Sequence, residues 1–201
     1  MHAGLAIRRT AGGVLLVLCC VGLVHAVRAA AAHAVYCGLK YGKDVVLTPA
    51  GLRSAETAHR LYPWNFYLSA WVGEQAYLRI HRAEPGQRGE WRAIASLWCG
   101  RSLRMNPFKR NMNVLKTRLL QMESVTDSLA YWRGYVELNY WSRYNHALLA
   151  ELCAAAGEFG EAARELETAR GGPGYEDARL RVLEAWRKEQ QPPVAATIPG
   201  G

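Results

Sequence analysis

HALLAELCAAAGEFGEAARELETA, residues 146–169, is the stretch of sequence that determines the fold class. Residues 147–156 favour a helix, since alanine and leucine are strong helix formers. Gly157 ends that helix, and the following Glu-Phe-Gly-Glu opens a second one. In the second helix, small or apolar residues recur at i, i+4 and i+7 on one face: Ala162, Leu166 and Ala169. The stretch therefore predicts two antiparallel helices, which the small Ala150 and Ala162 allow to approach closely.

Helix-ending signals of the same kind recur earlier in the chain. Residues 54–65 indicate a helix that stops before Pro63, and residues 101–108 repeat the pattern before Pro107. A weaker third version, without a proline, follows Leu138. Proline disfavours helical geometry in the residue before it and suits the first turn of a helix. We therefore expect a new helix to begin directly at each proline.

These signals divide the rest of the chain into further helix pairs. Residues 71–77 predict a first helix and residues 95–107 its partner. Residues 112–122 and 127–138 predict another pair, with Asp127 as the N-cap and Ala130 as the small contact residue. A closing helix is expected from Arg179 to Lys188. Residues 190–201 contain three prolines and two terminal glycines, which predicts a disordered tail.

The stretch 146–169 resembles a tetratricopeptide repeat, a helix–turn–helix unit of about 34 residues. Leu149-Ala150 stands where that family has Leu-Gly, and Cys153 replaces its tyrosine. The resemblance covers about residues 48–170, as about three units. It implies a short α-solenoid of about three hairpins plus a capping helix. The composition, rich in helix formers, favours an all-α fold, and an N-terminal membrane helix is expected to precede the solenoid. Proteins of this architecture bind other proteins, so a scaffold is the function it implies.

A narrower resemblance concerns Leu-Tyr-Pro-Trp-Asn at 61–65 and Leu-x-Met-Asn-Pro-Phe at 103–108, after a membrane helix. Together they are similar to the repeat tails of O-antigen ligase and polymerase-type bacterial membrane proteins. This sequence lacks the many membrane helices of those proteins. The resemblance therefore implies an accessory to polysaccharide assembly in the cell envelope, and no catalytic residue is carried over from it.

The N-terminus resembles an export signal. Arg8-Arg9 precedes an uncharged run from Thr10 to Val24, and the helix-prone sequence continues to about Val35. We expect a single-pass signal anchor, with the N-terminus cytoplasmic and the repeat domain periplasmic. The alternative is a cleaved signal, since Val24-His25-Ala26 has small residues at the positions that cleavage requires, and the mature chain would then be secreted. The expected organisation is an anchor and linker at 1–42, a repeat domain at 43–189 and a tail at 190–201.

The basic character of the chain is concentrated in one region. The formal net charge is +8, and residues 79–118 contain ten Lys or Arg against Glu84 and Glu90. Such a face attracts anionic glycan or lipid, whereas nucleic acid is not expected as a partner. The alternative is an ordinary solvated surface in a chain that prefers arginine. The candidate residues of this basic face are Arg101, Arg104, Lys109 and Arg110.

A groove for a partner protein is the second candidate site. The chain has seven Trp and ten Tyr, which either pack between helices or anchor a bound peptide. Another membrane or envelope protein is the expected partner, and the membrane itself is contacted through the N-terminal helix. If the first helix of each hairpin lines the groove, its candidate residues are Tyr67, Glu74, Tyr77, Met112, Leu115, Leu119, Tyr144 and Glu151.

No catalytic set is recognisable in the sequence. The phosphate-binding, zinc-protease, nucleophile-elbow and dinucleotide-binding motifs are missing, and the six histidines contain no i, i+4 pair. We expect no enzyme, no cofactor and no metal site. The alternative is an envelope enzyme whose site forms only with a partner. Of the five cysteines, Cys37, Cys99 and Cys153 leave room for one disulfide in an oxidising compartment, although buried thiols are expected.

Overall fold

The computed structural model describes residues 2–42 and 47–191, with side chains from residue 12 onward. These residues form helices and turns, and no strand occurs among them. The prediction of an all-α fold is confirmed. The helices are α1 His2–Tyr41, α2 Pro49–Leu61, α3 Phe66–Ile80, α4 Arg88–Met105, α5 Arg110–Gln121, α6 Val125–Leu138, α7 Arg143–Ala155, α8 Phe159–Ala169 and α9 Tyr175–Gln190, with a short 3-10 helix at Pro85–Gln87.

The chain forms two compact units, Met1–Met112 (unit 1) and Asn113–Gly201 (unit 2). In unit 1, α2 packs against α1 and α3 packs against α4. The two ends of α2 fix its direction along α1. Gly51, near its start, lies against Leu39 of α1, and Tyr62, just beyond its end, lines a cleft with Ala29. Helix α2 therefore runs antiparallel to α1, back toward the apolar half of that helix.

The helix stops occur where the sequence signals predict them. Helices α2, α4 and α6 end at Leu61, Met105 and Leu138. The residues that follow α2 and α4, Tyr62 and Asn106, have almost identical backbone angles, with φ −144° and ψ near 90°. Each stop is followed by a turn, closed by the backbone N–H of Asn65, Lys109 or Ser142 donating to the carbonyl three residues earlier.

The expectation that Pro63 and Pro107 begin the next helix was wrong. Helices α3 and α5 begin only at Phe66 and Arg110, so each proline lies in the preceding turn. The fixed φ of proline suits the second position of a β-turn as well as the first turn of a helix. Asn65 caps α3 by accepting a hydrogen bond from the Leu68 N–H at 3.1 Å.

Unit 2 contains α7 at its centre, in contact with α6, α8 and α9. Trp132 of α6 and Leu152 of α7 are fully buried in its core. The predicted hairpin of residues 146–169 is present as α7 and α8. Gly157 lies in the turn between these two helices and has the left-handed conformation at φ +80°, where glycine is unstrained. Ala150 and Ala162 are fully buried.

Other details of unit 2 differ from the sequence prediction. The α6 N-cap is Ser124, whose hydroxyl accepts from the Asp127 N–H at 3.1 Å, so the N-cap assigned to Asp127 was wrong. Ala130 is exposed and makes no helix contact of the predicted kind. The closing helix is longer than expected and includes Gln190. The remaining tail, residues 192–201, and the linker residues 43–46 lie outside the described residues.

Candidate functional site

Helix α1 has two halves with different surroundings. Every side chain from Gly12 to Arg28 is exposed, and the large apolar ones include Leu15, Leu18 and Leu23. Farther along, Ala32 and Tyr36 are buried in unit 1. The segment Gly12–Tyr41 is long and apolar enough to cross a membrane. The predicted apolar helix is therefore present, and it continues without a break into the packed helices of unit 1.

The turn between α2 and α3 lies beside α1 at the boundary of these two halves. A cleft of about 470 Å³ is lined by Ala29, Ala30 and His33 of α1 and by Trp64 and Tyr67. Trp64 is 69% exposed although it is a large apolar side chain. Its position is fixed on one side by the end of α2 and on the other by the Asn65 cap of α3.

A second cleft of about 410 Å³ opens on the other side of Trp64. It is lined by Pro63, Trp64 and His59, together with Arg101, Arg104 and Met105 of α4. Arg101 is tied to α2 by an ion pair, with its Nη1 2.8 Å from Glu56 Oε1. Its guanidinium also lies 4.4 Å from the centre of the Trp98 ring, a cation–π distance. We call this the Trp64 cleft.

The charge around the Trp64 cleft is positive. Arg101 and Arg104 line it and no carboxylate does. Arg101 forms an ion pair with Glu56, so the net positive charge of the cleft comes from Arg104. Arg60, at the end of α2, is exposed. Of the predicted basic face, the structure thus places Arg101 and Arg104 in one cleft, whereas Lys109 and Arg110 lie exposed after the next turn.

His59 is held in its neutral form by this environment. Its Nδ1 is buried without a hydrogen-bond partner among the described residues, and its ring lies 5.5 Å from that of Trp98. Burial, followed by the charge of Arg101, lowers the pKa of His59 below its ordinary 6.5, and Glu56 opposes the shift. Because the charged form is disfavoured only in the folded chain, the unfolded chain binds this proton more readily.

Unit 1 is therefore expected to lose stability as the pH falls below about 6.5, the range in which an unfolded histidine takes up its proton. Replacing His59 by Gln should flatten this pH dependence of the thermal midpoint between about pH 7.5 and 5.5. His81→Gln is the matched control, since His81 is exposed and stacks edge-on with Tyr77. Equal pH dependence in H59Q and the unmodified chain would contradict this role.

The predicted groove residues are divided between the two units and differ in burial. Met112, Leu115 and Leu119 are buried in the helix core and therefore cannot line an open groove. Tyr67 is exposed, Tyr77 packs against His81 at 5.2 Å, and Tyr144 packs against Gly174. Glu74 is half-buried, and burial raises its pKa against the opposing charges of Lys40 and Lys109.

Glu151, the last groove candidate, has a structural role instead. Its side chain is only 12% exposed. Arg118 of α5 donates to both of its carboxylate oxygens, at 2.6 and 3.1 Å, and Arg181 of α9 donates to Oε1. A bidentate pair of this kind fixes geometry strongly. Glu151 therefore joins α5, α7 and α9 and is not available to a partner.

Three potential metal ligands lie together in unit 2. The ligand atoms of Cys153, Glu158 and Glu161 lie within 4.8 Å of one another. Arg133 donates to both carboxylates, at 2.7 Å to Glu161 Oε2, and lowers the pKa of Glu161. Burial raises the pKa of the Cys153 thiol to about 12, so it stays protonated at neutral pH. The arrangement functions as an ion-pair link between α6 and α8, because the guanidinium occupies the carboxylates that a metal would need.

No disulfide joins the three cysteines considered for one, Cys37, Cys99 and Cys153, in the part of the chain described. The Cys99 thiol donates to the carbonyl of Met112 at 3.3 Å and is buried with it in unit 1. Cys153 is fully buried in the core of unit 2. Both behave as small core side chains, in agreement with the expectation of buried thiols.

The Trp64 cleft is the feature that sequence reasoning missed. The stretch Leu-Tyr-Pro-Trp-Asn predicts a helix stop and contributes to the narrower family resemblance, but neither pattern indicates a cleft. The available signal was the tryptophan itself, because a large aromatic side chain in the short turn between two helices is not expected to be buried in the core. Comparison with known proteins adds nothing to this geometry: no protein-family model matches the chain, and no curated protein or solved structure matches it.

Proposed function

We propose that this chain is a single-pass membrane protein of the cell envelope that holds a partner protein close to the bilayer. One observation carries the proposal: the exposed apolar half of α1 and its packed half belong to the same unbroken helix. Because a continuous helix is rigid, it holds the packed helices of unit 1 at a fixed distance from the membrane. A flexible linker would leave its distance from the bilayer undefined.

The proposed topology has the N-terminus in the cytoplasm and the helices from α2 onward outside it. Arg8-Arg9 before the apolar run supports this direction, since basic residues favour the cytoplasmic side. Retention of the helix is favoured over cleavage near Ala26. The segment 24–26 lies inside α1, and the next two turns of the same helix pack into unit 1 through Ala32 and Tyr36.

The proposed partner is another protein, bound by the helix hairpins of unit 2 in the manner of tetratricopeptide repeats. The support is the α7–α8 hairpin together with two adjacent exposed aromatics in the turn before α7. Tyr140 and Trp141 are largely exposed, with their ring centres 5.6 Å apart. Aromatic side chains of this kind are the commonest anchors of protein interfaces. A partner in polysaccharide assembly is the narrower form of the proposal and rests on the sequence resemblance alone.

The test is capture of the full chain from detergent-solubilised membranes after mild cross-linking. A partner bound through these aromatics should be recovered with the unmodified chain, and its recovery should fall about tenfold or more in Y140A/W141A, the usual effect of removing a binding hot spot. Trp186→Ala is the matched control, since Trp186 is also exposed and lies on α9. Failure to recover any specific partner, or equal loss in W186A, would contradict the proposal.

A further inference from the structure

The length of the apolar half of α1 fixes where a bilayer would end. The uncharged run from Thr10 to Val27 precedes Arg28, and at 1.5 Å per residue it is about 27 Å long. The hydrocarbon core of a bilayer is about 30 Å thick. Arg28 therefore lies at the level of the headgroups, which an arginine near the end of a membrane helix reaches readily. The next turn of α1, from Ala29 to His33, lies just outside the hydrocarbon.

That turn of α1 lines the first cleft described above, between α1 and the α2–α3 turn, and Trp64 lines the same cleft. A bilayer crossed by α1 thus has Trp64 at its interface, where tryptophan is enriched because its ring is apolar and its N–H is polar. The high exposure of Trp64, unexplained in a protein surrounded by water, is explained by this position. The other end of unit 1 lies farther out, because Gly51 contacts Leu39, about three helical turns beyond Arg28.

The arginines around Trp64 lie at the same end of unit 1. Helix α2 brings His59 and Arg60 toward Arg28, and the Arg101–Glu56 ion pair holds the end of α4 beside them. The Trp64 cleft then presents Arg101 and Arg104 next to an apolar wall of Pro63, Trp64 and Met105. Guanidinium groups bind phosphate through paired hydrogen bonds. An apolar wall beside them matches the start of an acyl chain.

We propose that the Trp64 cleft binds the headgroup phosphate of an anionic phospholipid from the bilayer that α1 crosses. Trp64 lies at the glycerol level of that bilayer, and Arg101 and Arg104 face the phosphate. The inference rests on the membrane-anchoring part of the proposed function. A lipid is favoured over an anionic glycan because Trp64, which lines this cleft, also lines the neighbouring cleft with Ala29 and His33 of α1. In addition, three of the six residues that line the Trp64 cleft are apolar. The site would fix how unit 1 is oriented on the membrane surface.

The first test measures the depth of Trp64. The purified full chain is placed in nanodiscs whose lipids carry bromine near the carboxyl end of the acyl chain, and tryptophan quenching is compared with that in unbrominated discs. Trp64→Phe should remove a large part of the quenching. Trp91→Phe is the matched control and should not, because Trp91 contacts Arg79, whose Nε donates to the Leu47 carbonyl at the outer end of unit 1. Quenching that is unchanged in W64F would overturn the proposal.

The second test measures lipid preference. The chain is reconstituted with phosphatidylcholine and phosphatidylglycerol, and the ratio of the two lipids retained after purification is measured by mass spectrometry. An arginine near an anionic surface contributes roughly a fivefold preference, so R104Q should reduce the enrichment of phosphatidylglycerol about fivefold. R82Q removes the same charge from an exposed position outside the cleft and should preserve the enrichment.

The outcomes separate the site from the anchor. The lipid site is overturned, and the anchor stands, if the chain enters the disc but shows no enrichment. The same holds if R104Q and R82Q lose enrichment equally, or if a soluble anionic glycan releases the lipid. A chain that fails to enter the disc contradicts the anchor, and the lipid site with it. Enrichment that depends on Arg104, together with quenching that depends on Trp64, supports the proposal.

Discussion

Replacing Trp132 with alanine is expected to lower the free energy of unfolding of unit 2 by about 3–5 kcal/mol, the range for deleting a large buried aromatic side chain. Trp132 is 0% exposed, and its ring lies 4.8 Å from that of Tyr135. Its Nε1 donates to the Asn145 carbonyl at 3.0 Å, which ties α6 to the first turn of α7. Alanine leaves a cavity at this contact and an unpaired carbonyl beside it.

The measurement is urea denaturation of the full chain, followed by hydrogen exchange of amides in α6 and α7 so that unit 2 is observed by itself. Trp132→Phe should lower the free energy of unfolding by less than Trp132→Ala, because phenylalanine keeps most of the buried ring and loses mainly the hydrogen bond to Asn145. Trp186→Ala, at a half-exposed position on α9, is the control for losing a tryptophan. A loss of less than about 1 kcal/mol in W132A would contradict a core built around this residue, since surface substitutions usually cost no more than that.

Replacing Leu18 with arginine is expected to prevent retention of the chain in the membrane. Leu18 is 62% exposed and lies near the middle of the uncharged run of α1. At the centre of a membrane helix, arginine costs about 3 kcal/mol more free energy of insertion than leucine. The equilibrium constant for insertion therefore falls by about two orders of magnitude. The fraction of chain that stays in alkali-washed membranes measures the effect.

Leu18→Ile is the matched control for L18R, because it keeps the apolar character and the volume of the side chain. It should leave the membrane fraction unchanged. The same amount of L18R and unmodified chain in the washed membranes would mean that α1 does not anchor the protein. Loss of both variants would mean that the position tolerates no change, which a lipid-facing side chain does not explain.

Local signals were sufficient for much of the fold. The stops after Leu61, Met105 and Leu138 and the turn at Gly157 depend on backbone preferences of a few neighbouring residues, so the sequence displays them directly. Where two neighbouring residues can both cap a helix, local preferences do not decide which of them is the N-cap. Ser124 and Asp127 are both good caps, and the hydroxyl of Ser124 was the one placed to accept the Asp127 N–H.

The site could not be obtained in the same way, because it depends on distant residues that folding brings together. Glu56 and Arg101 are far apart in sequence, yet their ion pair closes the Trp64 cleft. The burial of three predicted groove residues could not be foreseen for a related reason. Met112, Leu115 and Leu119 are equally suited to a core or to an apolar groove, and only packing distinguishes the two. Glu151 has the sequence character of a surface residue, and only the fold brings Arg118 and Arg181 within hydrogen-bond distance of its carboxylate.

The most direct measurement of a membrane-anchored protein with a retained helix is the intact mass of the chain recovered from membranes after an alkaline wash. We expect the chain to stay in the membrane pellet, with a mass that includes the N-terminal segment before Ala26. Chain released into the supernatant, or a mass that corresponds to cleavage near Ala26, would contradict it. Either result would show that α1 is not the anchor that positions unit 1 and the Trp64 cleft at the bilayer.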